Sequence, residues 1–216
     1  MKINLLVLLS ILLISTPIFA QQYGTFKDPR DGRVYKTVKI GNQEWMAENL
    51  NADRFMNGDL IQHGKTNEQW HSALTSKKAA WCNFENNSSY SQKYGKLYNY
   101  FAVNDSRGLA PPGWHIAKEE EWKELIAYLE ENGLSGSSLK KKSFWKNEKQ
   151  NKDSTDFAAL PSGARFRTGE FLTNEEYWFG WIANNETEGY YLSNNNNRIE
   201  RFKEKGMGVS VRCVKD

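Results

Sequence analysis

The sequence predicts an α+β domain with one or two helices and many short antiparallel strands. One strong helical stripe lies in the middle of the chain, where apolar residues recur at i, i+3, i+4 and i+7. Short β-branched and aromatic segments, separated by Gly and Asn, fill the last third. Helices set apart from a run of strands are typical of the α+β class.

The first twenty residues differ from the rest of the chain. Lys2 precedes the apolar run INLLVLLSILLIS, and small residues surround Ala20, as in a secretory signal peptide. The alternative is a membrane anchor, but the run is shorter than the ~20 residues that span a bilayer. We therefore expect residues 1–20 to be a signal peptide and residues 21–216 a single domain. The protein would be exported (periplasmic, cell-surface or extracellular) without stable membrane insertion.

The charge balance argues against a nucleic-acid partner. The chain has 29 Lys and Arg against 26 Asp and Glu, whereas a nucleic-acid binder needs a concentrated basic face. The one dense cluster, Lys140–Lys142, is predicted to lie in a solvated loop. The 8 Trp, 10 Tyr and 11 Phe can supply the core that a polar sequence otherwise lacks.

A β-hairpin is predicted near the start of the domain. The run from Val34 to Ile40 is rich in β-branched residues, and Gly41-Asn42 supplies the tight turn. Asp28 and Asp31 are interpreted as turn residues, because the alternating acids of a calcium loop are missing. We expect four side chains of this region to face inward: Tyr35, Val38, Ile40 and Trp45.

Two helices are predicted. The first is short and lies in TNEQWHSAL, with Asn67 as its N-cap. The second runs from about Lys118 to Glu131 and ends at Asn132-Gly133. Its apolar stripe has four members: Trp122, Leu125, Ile126 and Leu129.

Strands are predicted both before and after the central helix. AAWC and GKLYNYFAV flank the polar excursion ENNSSYSQK and read as strands. Five late segments also read as strands: FAALPSGARF, EYWFGWIA, GYYLS, RIERFK and GVSVRCVK.

The stretch PPGWHIAKEEEWKEL could hold either a reactive site or a helix entrance. Glu119, Glu120 and Glu121 occupy the first turn of the central helix, where negative charge is favourable. Metal ligation needs three or four converging donors, and the chain has only three histidines, none in an H-E-x-x-H motif. We interpret His115 and its acidic neighbours as a fold element.

Enzyme motifs are missing as well. The sequence has no G-x-S-x-G elbow, no Gly-rich phosphate loop, and no Cys near a His. Two distant carboxylates of a glycosidase would leave no such local pattern. We therefore expect a non-catalytic protein without cofactor or structural metal.

Cys82 and Cys213 leave two alternatives. An even cysteine count in an exported chain favours one disulfide. It would close a loop of more than a hundred residues and stabilise the fold by ~4–5 kcal/mol. The alternative is two separate buried thiols.

Five segments in order resemble one bacterial family, the Fibrobacter succinogenes major paralogous domain (FISUMP). They are DGRVYKTVKIGNQEWMAENLN, YGKLYNYFAVND, APPGWHIAKEEEWKEL, FAALPSGARF and GVSVRCVKD. The resemblance implies an exported protein of a kind common in Bacteroidota and Fibrobacterota, with no established activity. The helix entrance and the terminal VRCV strand also look similar to the C-type-lectin-like fold, especially its sulfatase-modifying branch.

The chain departs from the family pattern at two positions. Ala117-Lys118 follows the Trp-His pair where a capping residue is usual, which could cost ~1 kcal/mol unless another acceptor caps the helix. Asp156 replaces the usual Gly before Phe157, which would alter a turn. The sulfatase-modifying enzymes use a close cysteine pair, so the distance between Cys82 and Cys213 in sequence argues against carrying over a formylglycine-type activity.

The resemblance to the lectin-like fold places a ligand site between the late strands. Trp178 and Trp181 are three apart and would face opposite sides of a strand. Trp181 is predicted to be the outer one, in a ligand site with Asn184, Asn185 and Glu186. The ligand would be a glycan or a surface protein. The alternatives are that both tryptophans are core, and that the domain is an adhesion protein displaying variable loops.

Overall fold

The computed structural model describes residues 22–146, 152–172, 176–184 and 187–216. In these ranges the chain combines few helices with many, mostly antiparallel strands, which confirms the α+β prediction. None of the helices described there has the length and apolar character needed to cross a membrane. The predicted signal peptide, residues 1–20, lies outside the described ranges.

The elements are numbered in chain order. The strands are β1 (Tyr23–Lys27), β2 (Val34–Ile40), β3 (Gln43–Met46), β4 (Gln62–His63), β5 (Ala80–Cys82), β6 (Leu97–Asn99), β7 (Trp114–Ile116), β8 (Ala164–Arg165), β9 (Phe171–Leu172), β10 (Tyr177–Trp181), β11 (Glu188–Ser193), β12 (Ile199–Lys203), β13 (Gly208–Val209) and β14 (Cys213–Lys215). The α-helices are α1 (Asn67–Thr75), α2 (Ser91–Tyr94), α3 (Tyr100–Val103) and α4 (Glu119–Glu131). Short 3₁₀ turns lie at Phe84–Asn86, Ser88–Tyr90 and Gly136–Leu139.

The strands form three sheets. The first has the order β1-β2-β3-β14-β7, so the last strand lies between two early ones. The second is the antiparallel meander β10-β11-β12, and the third has the order β4-β5-β6-β13-β8-β9. The chain therefore returns at its end to join the sheets built at its beginning.

The N-terminal hairpin forms as predicted. β2 pairs with β3 through the turn at Gly41, which has φ +60°, a left-handed conformation that glycine adopts without strain. All four side chains predicted to face inward are buried. Asp28 is also buried, where its carboxylate pairs with the Arg30 guanidinium at 2.6 Å, and its backbone oxygen accepts from the Gly32 N–H in a turn.

The central helix begins at Glu119, one residue after the predicted start. Lys118 has the extended backbone of an N-cap, and the Glu121 carboxylate accepts the Lys118 N–H at 2.6 Å. Glu121 thus supplies the reciprocal bond of a capping box, while the Lys118 ammonium, which is only a donor, cannot accept from the first-turn N–H groups. The first helix is capped by Thr66 rather than by the predicted Asn67, whose side chain instead accepts from Arg165 at 3.0 Å.

The predicted late strands are present, with two differences. GVSVRCVK forms two strands in different sheets, β13 and β14, because Ser210–Arg212 passes from one sheet to the other. FAALPSGARF contributes only the two-residue β8. Earlier in the chain, GKLYNYFAV is wrong as one strand, since the Asn99 side chain accepts the Ala102 N–H and starts α3.

Two large hydrophobic clusters lie on opposite faces of β10. The helix-side cluster contains Trp45 and Trp122 and receives Trp178 from β10. The central cluster contains Phe202 and receives Trp181 from β10. Side chains alternate along this strand, so each of its two faces packs against a different hydrophobic cluster.

The predicted disulfide between Cys82 and Cys213 is wrong. Both residues are free, buried thiols. Cys82 lies on β5 in a small third cluster with Trp70 and Phe84, whereas Cys213 lies on β14 in the central cluster. The two cysteines therefore lie in different sheets and in different hydrophobic clusters. Each fills its own buried position, which is the alternative that the sequence left open.

The Lys140–Lys142 run is only partly solvated, which corrects the loop prediction. The Lys140 side chain is fully buried, and its ammonium donates to the backbone oxygens of Ser193 and Asn196. Burial lowers the pKa of the Lys140 ammonium to about 8. A run of lysines in a sequence does not show which of them is hydrogen-bonded to backbone oxygens in the folded protein.

Candidate functional site

A cleft in the described part of the protein has a volume of about 570 Å³. The edge strand β1 and β2 form one wall. The other wall is formed by Lys141, Phe144, Asp156, Ala158 and Leu160. Residues 47–49, which follow β3, Lys93 of α2 and Arg212 also line the cleft. The volume falls in the range of small-molecule sites.

A tyrosine and an aspartate meet across the mouth of the cleft. Tyr23 is 68% exposed, and its hydroxyl donates to the Asp156 carboxylate at 2.6 Å. This hydrogen bond to a carboxylate raises the pKa of the Tyr23 phenol. The bond holds one face of the Tyr23 ring at the rim of the cleft.

A second exposed aromatic ring lies on the opposite wall. Phe144 is 37% exposed, and the Lys93 ammonium lies 4.7 Å from its ring centroid. The same ammonium lies 4.7 Å from the Tyr94 ring, so it bridges two rings by cation–π contacts. Phe144 and Tyr23 are thus two exposed rings lining a single cleft.

Arg212 forms part of the cleft floor and is almost fully buried. Its guanidinium donates to the Asn49 side chain at 2.8 Å and to the backbone oxygens of Met46 at 2.8 Å and Phe157 at 2.7 Å. A further bond reaches the Ala158 oxygen at 3.2 Å. Burial lowers the pKa of the guanidinium, and these acceptors compensate for its lost hydration. Arg212 therefore ties the cleft wall to the end of the hairpin.

The wall that contains Asp156 has an unusual backbone. Asp156 has φ 52° and Ala158 has φ 53°, in the left-handed region that favours glycine. The family resemblance of the sequence implies Gly at position 156, and the left-handed conformation of Asp156 is one that glycine adopts without strain. Asp tolerates the left-handed region better than most residues, whereas Ala does so at a cost.

The cleft carries charges of both signs. Four cations line it: Lys36, Lys93, Lys141 and Arg212. Two carboxylates also line it: Glu48 and Asp156. The Lys141 ammonium pairs with the carboxylate of Asp153, a neighbouring residue, at 3.1 Å. Hydroxyl groups of a ligand would therefore meet both donors and acceptors here.

A family model described as the Fibrobacter succinogenes major domain matches residues 38–215. The chain belongs to this family. No curated protein and no solved structure matches the chain. In this FISUMP chain the cleft floor and one wall lie within the matched residues, whereas Tyr23 and Lys36 precede them.

The predicted ligand site at Trp181 needs correction. Trp181 is fully buried, and its indole N–H donates to the Tyr98 backbone oxygen at 2.8 Å. Its ring therefore cannot stack on a ligand at the surface. Of the other residues predicted there, Asn184 is exposed, with its N–H bonded to the Asn104 side chain at 2.7 Å, and Asn185 and Glu186 lie outside the described residues.

The cluster around His115 serves the fold. Its Nδ1 lies 2.7 Å from the Asp216 carboxylate, and its Nε2 lies 2.9 Å from that of Glu121. These contacts join β7, the end of the chain and the first turn of α4. Glu119 accepts from Arg201 at 2.8 Å and from the Tyr190 hydroxyl at 3.3 Å, which joins the helix to the meander.

Across the described ranges, no three or more His, Cys, Asp and Glu side chains are grouped so that they could hold a metal ion. His63, which the sequence leaves without a role, stacks on the Trp81 ring with centroids 3.8 Å apart. Burial lowers the pKa of the His63 imidazole to about 4, which keeps the ring neutral at physiological pH.

Proposed function

We propose that this FISUMP protein is a non-catalytic, exported ligand-binding module whose cleft takes a glycan. The observation that carries the proposal is the pair of exposed rings, Tyr23 and Phe144, in one cleft of about 570 Å³. Sugar rings present C–H faces that pack on aromatic rings, while their hydroxyls need hydrogen-bond partners. Lys36, Glu48 and Asp156 supply such donors and acceptors along the same walls.

The residues around the rings favour binding over chemistry. The Asp156 carboxylate is engaged by the Tyr23 hydroxyl, and the Lys93 ammonium is placed over two rings. In these positions the two charged groups hold the rings that would contact a ligand. The lectin-like resemblance of the sequence is consistent with this role.

A glycan array probed with the protein lacking residues 1–20 tests the proposal. We expect binding to a subset of glycans. The double variant Tyr23→Ala, Phe144→Ala should lose that binding by at least tenfold while melting at an unchanged temperature. Val34→Ala, Leu60→Ala removes two other exposed apolar side chains and serves as the matched control.

A second candidate function is adhesion to a protein. The loop between Arg54 and Leu60 exposes the side chains of Met56 and Leu60 away from the cleft lining. If no glycan binds while adhesion to cells is retained, and if the Leu60→Ala variant loses that adhesion, the protein-binding alternative is correct and the glycan proposal is wrong.

A further inference from the structure

A second pocket lies between the end of α1, the short helix α3 and two turns. Its volume is about 360 Å³. One turn connects β8 to β9 and supplies Arg167, and the other connects β12 to β13 and supplies Lys205 and Gly206. The pocket shares no lining residue with the cleft.

The charged residues lining this pocket all have the same sign. Lys77, Arg167 and Lys205 line it, and no Asp or Glu of the described residues does so. The side chains of Lys77 and Arg167 are exposed, and neither has a carboxylate within 4.0 Å in the part of the chain that the structure describes. An anion entering here would meet the positive charges of Lys77 and Arg167.

Two aromatic rings give the pocket an apolar surface. Tyr100 and Phe101 are consecutive on α3, and their ring centroids lie 5.4 Å apart in an edge-on arrangement. Both are half-buried, so each presents part of its ring to the pocket. Leu74 of α1 adds an aliphatic side chain.

The backbone at Gly206 sets the position of Arg167. Gly206 has φ +92°, and a Cβ built there would lie 3.2 Å from the Arg167 Cβ. The bare glycine therefore lets the arginine stem lie close against the turn, and Arg167 is one of the residues that line the pocket. A planar guanidinium recognises carboxylate, sulfate and phosphate oxygens through paired hydrogen bonds.

We propose that this pocket binds a small organic anion in which one carboxylate, sulfate or phosphate group is carried on a ring. The ring packs on Tyr100 and Phe101, and the anionic group meets Arg167 and Lys77. The small volume suits a ligand of one ring rather than an oligomer. A ligand of about a dozen heavy atoms is expected to bind with a Kd on the order of 1 mM.

Titrations followed by two-dimensional NMR test this site with four probes: glucuronate, phenyl phosphate, glucose and inorganic phosphate. We expect glucuronate or phenyl phosphate to bind more tightly than both glucose and inorganic phosphate, and higher salt to weaken the binding. The shifted amides should include those of residues 100, 101 and 167. Binding of glucose or of inorganic phosphate as tight as that of both ring anions would overturn the proposal, as would binding of neither ring anion.

Variants separate this site from nonspecific charge effects. Arg167→Gln should weaken the binding of the ring anion by about tenfold, because it removes a charge-assisted hydrogen-bond donor. Lys77→Asn removes a charge yet suits the left-handed backbone at Lys77, φ 55°. Arg198→Gln removes an exposed charge from another turn and should change nothing. Equal losses in Arg198→Gln and Arg167→Gln would contradict a specific site.

The two proposals fail separately. The double variant Tyr23→Ala, Phe144→Ala alters only the cleft, so it should retain full anion binding at the second pocket. Loss of anion binding in that variant would place the anion in the cleft instead and would overturn the second site.

Discussion

The meander β10-β11-β12 and the rim of the cleft are both rich in aromatic residues, but they use them in opposite ways. In the meander, Trp178 and Trp181 are both 0% exposed, because each face of β10 packs on a different hydrophobic cluster. At the rim, Tyr23 is 68% and Phe144 37% exposed. An aromatic-rich strand is therefore a poor guide to a binding surface when a third layer covers its outer face.

The contrast also has a chemical side. Each buried indole has a partner: the Trp178 N–H donates to Asn49 at 3.0 Å, and the Trp181 N–H donates to Tyr98 at 2.8 Å. The exposed rings instead contact groups that reach the solvent, namely Asp156 and Lys93. Buried aromatic residues here specify the fold, whereas exposed ones remain available to a ligand.

Arg212 joins the two regions and should give the largest effect on stability. Its guanidinium lies 5.9 Å from the Trp178 ring centroid and lines the cleft floor. Arg212→Met leaves several buried oxygens without a donor, so we expect the free energy of unfolding to fall by about 3–5 kcal/mol. Arg212→Lys keeps the positive charge but not the planar guanidinium with its several N–H donors, so its free energy of unfolding should fall by less. Urea unfolding measures both, and a loss below about 1 kcal/mol in Arg212→Met would contradict this role.

The comparison itself is tested by removing one ring from each region. Trp181→Ala leaves a cavity in the central cluster and should destabilise the protein by about 3–5 kcal/mol. Tyr23→Ala removes a surface ring and should change stability by less than about 0.5 kcal/mol. Thermal unfolding of the two variants checks this order. Similar losses in both would show that Tyr23 is structural.

A half-buried and an exposed histidine extend the comparison to pH. The pKa of His63 is about 4 in the folded protein, below its usual unfolded value of about 6.5, so the folded state binds fewer protons between these values. Stability should therefore fall as the pH drops from about 6.5 to 4. His63→Phe keeps a ring on Trp81 and should remove this part of the pH dependence. His71→Gln, at an exposed position, should leave this part of the pH dependence unchanged. An identical pH dependence of stability in the wild type and in both variants would contradict the assignment of this effect to His63.

The strained wall of the cleft offers a smaller, opposite effect. Ala158 has φ 53°, so Ala158→Gly should stabilise the protein by about 0.5–1 kcal/mol. Ala47 also lines the cleft but has no positive φ, and Ala47→Gly should destabilise by a similar amount. Chemical unfolding distinguishes the two. If both variants lose stability, the left-handed strain at Ala158 is not present in solution.

The smallest expected effect comes from a reductant. Cys82 and Cys213 are buried, and burial raises the pKa of each thiol to about 12, so neither should react in the native protein. A reductant should leave the melting temperature unchanged, and unfolding without reductant should expose two labelled thiols. A lower melting temperature in the presence of reductant, together with no labelled thiol after unfolding without reductant, would show that the disulfide is present.

Much of the fold follows from local patterns in the sequence. The stripe through Trp122, Leu125 and Leu129 predicts α4, and the Gly41-Asn42 turn predicts the hairpin, because each depends on residues close together in the chain. The cap by Glu121 was less evident, since the favourable first-turn charge hid its second role. Local signals therefore gave the elements and their approximate ends.

The site could not be predicted in the same way. Tyr23 and Asp156 are 133 residues apart in sequence and meet only through the packing of β1 against a distant loop. The polar sequence neighbours of Trp181 predict a surface position, but the layer that covers it comes from other parts of the chain. The one local signal of the cleft was the usual family glycine at the position of Asp156, which marks a left-handed backbone.

The most direct test maps the binding of the strongest glycan from the array by NMR, with all side-chain indole N–H groups and the tyrosine and phenylalanine rings observed. We expect the NMR signals of the Tyr23 and Phe144 rings to shift on binding, while the signal of the Trp181 indole N–H stays unchanged. A shift confined to Trp181 and the residues around Asn184, with Tyr23 and Phe144 unchanged, would contradict the account and return the ligand site to the late strands.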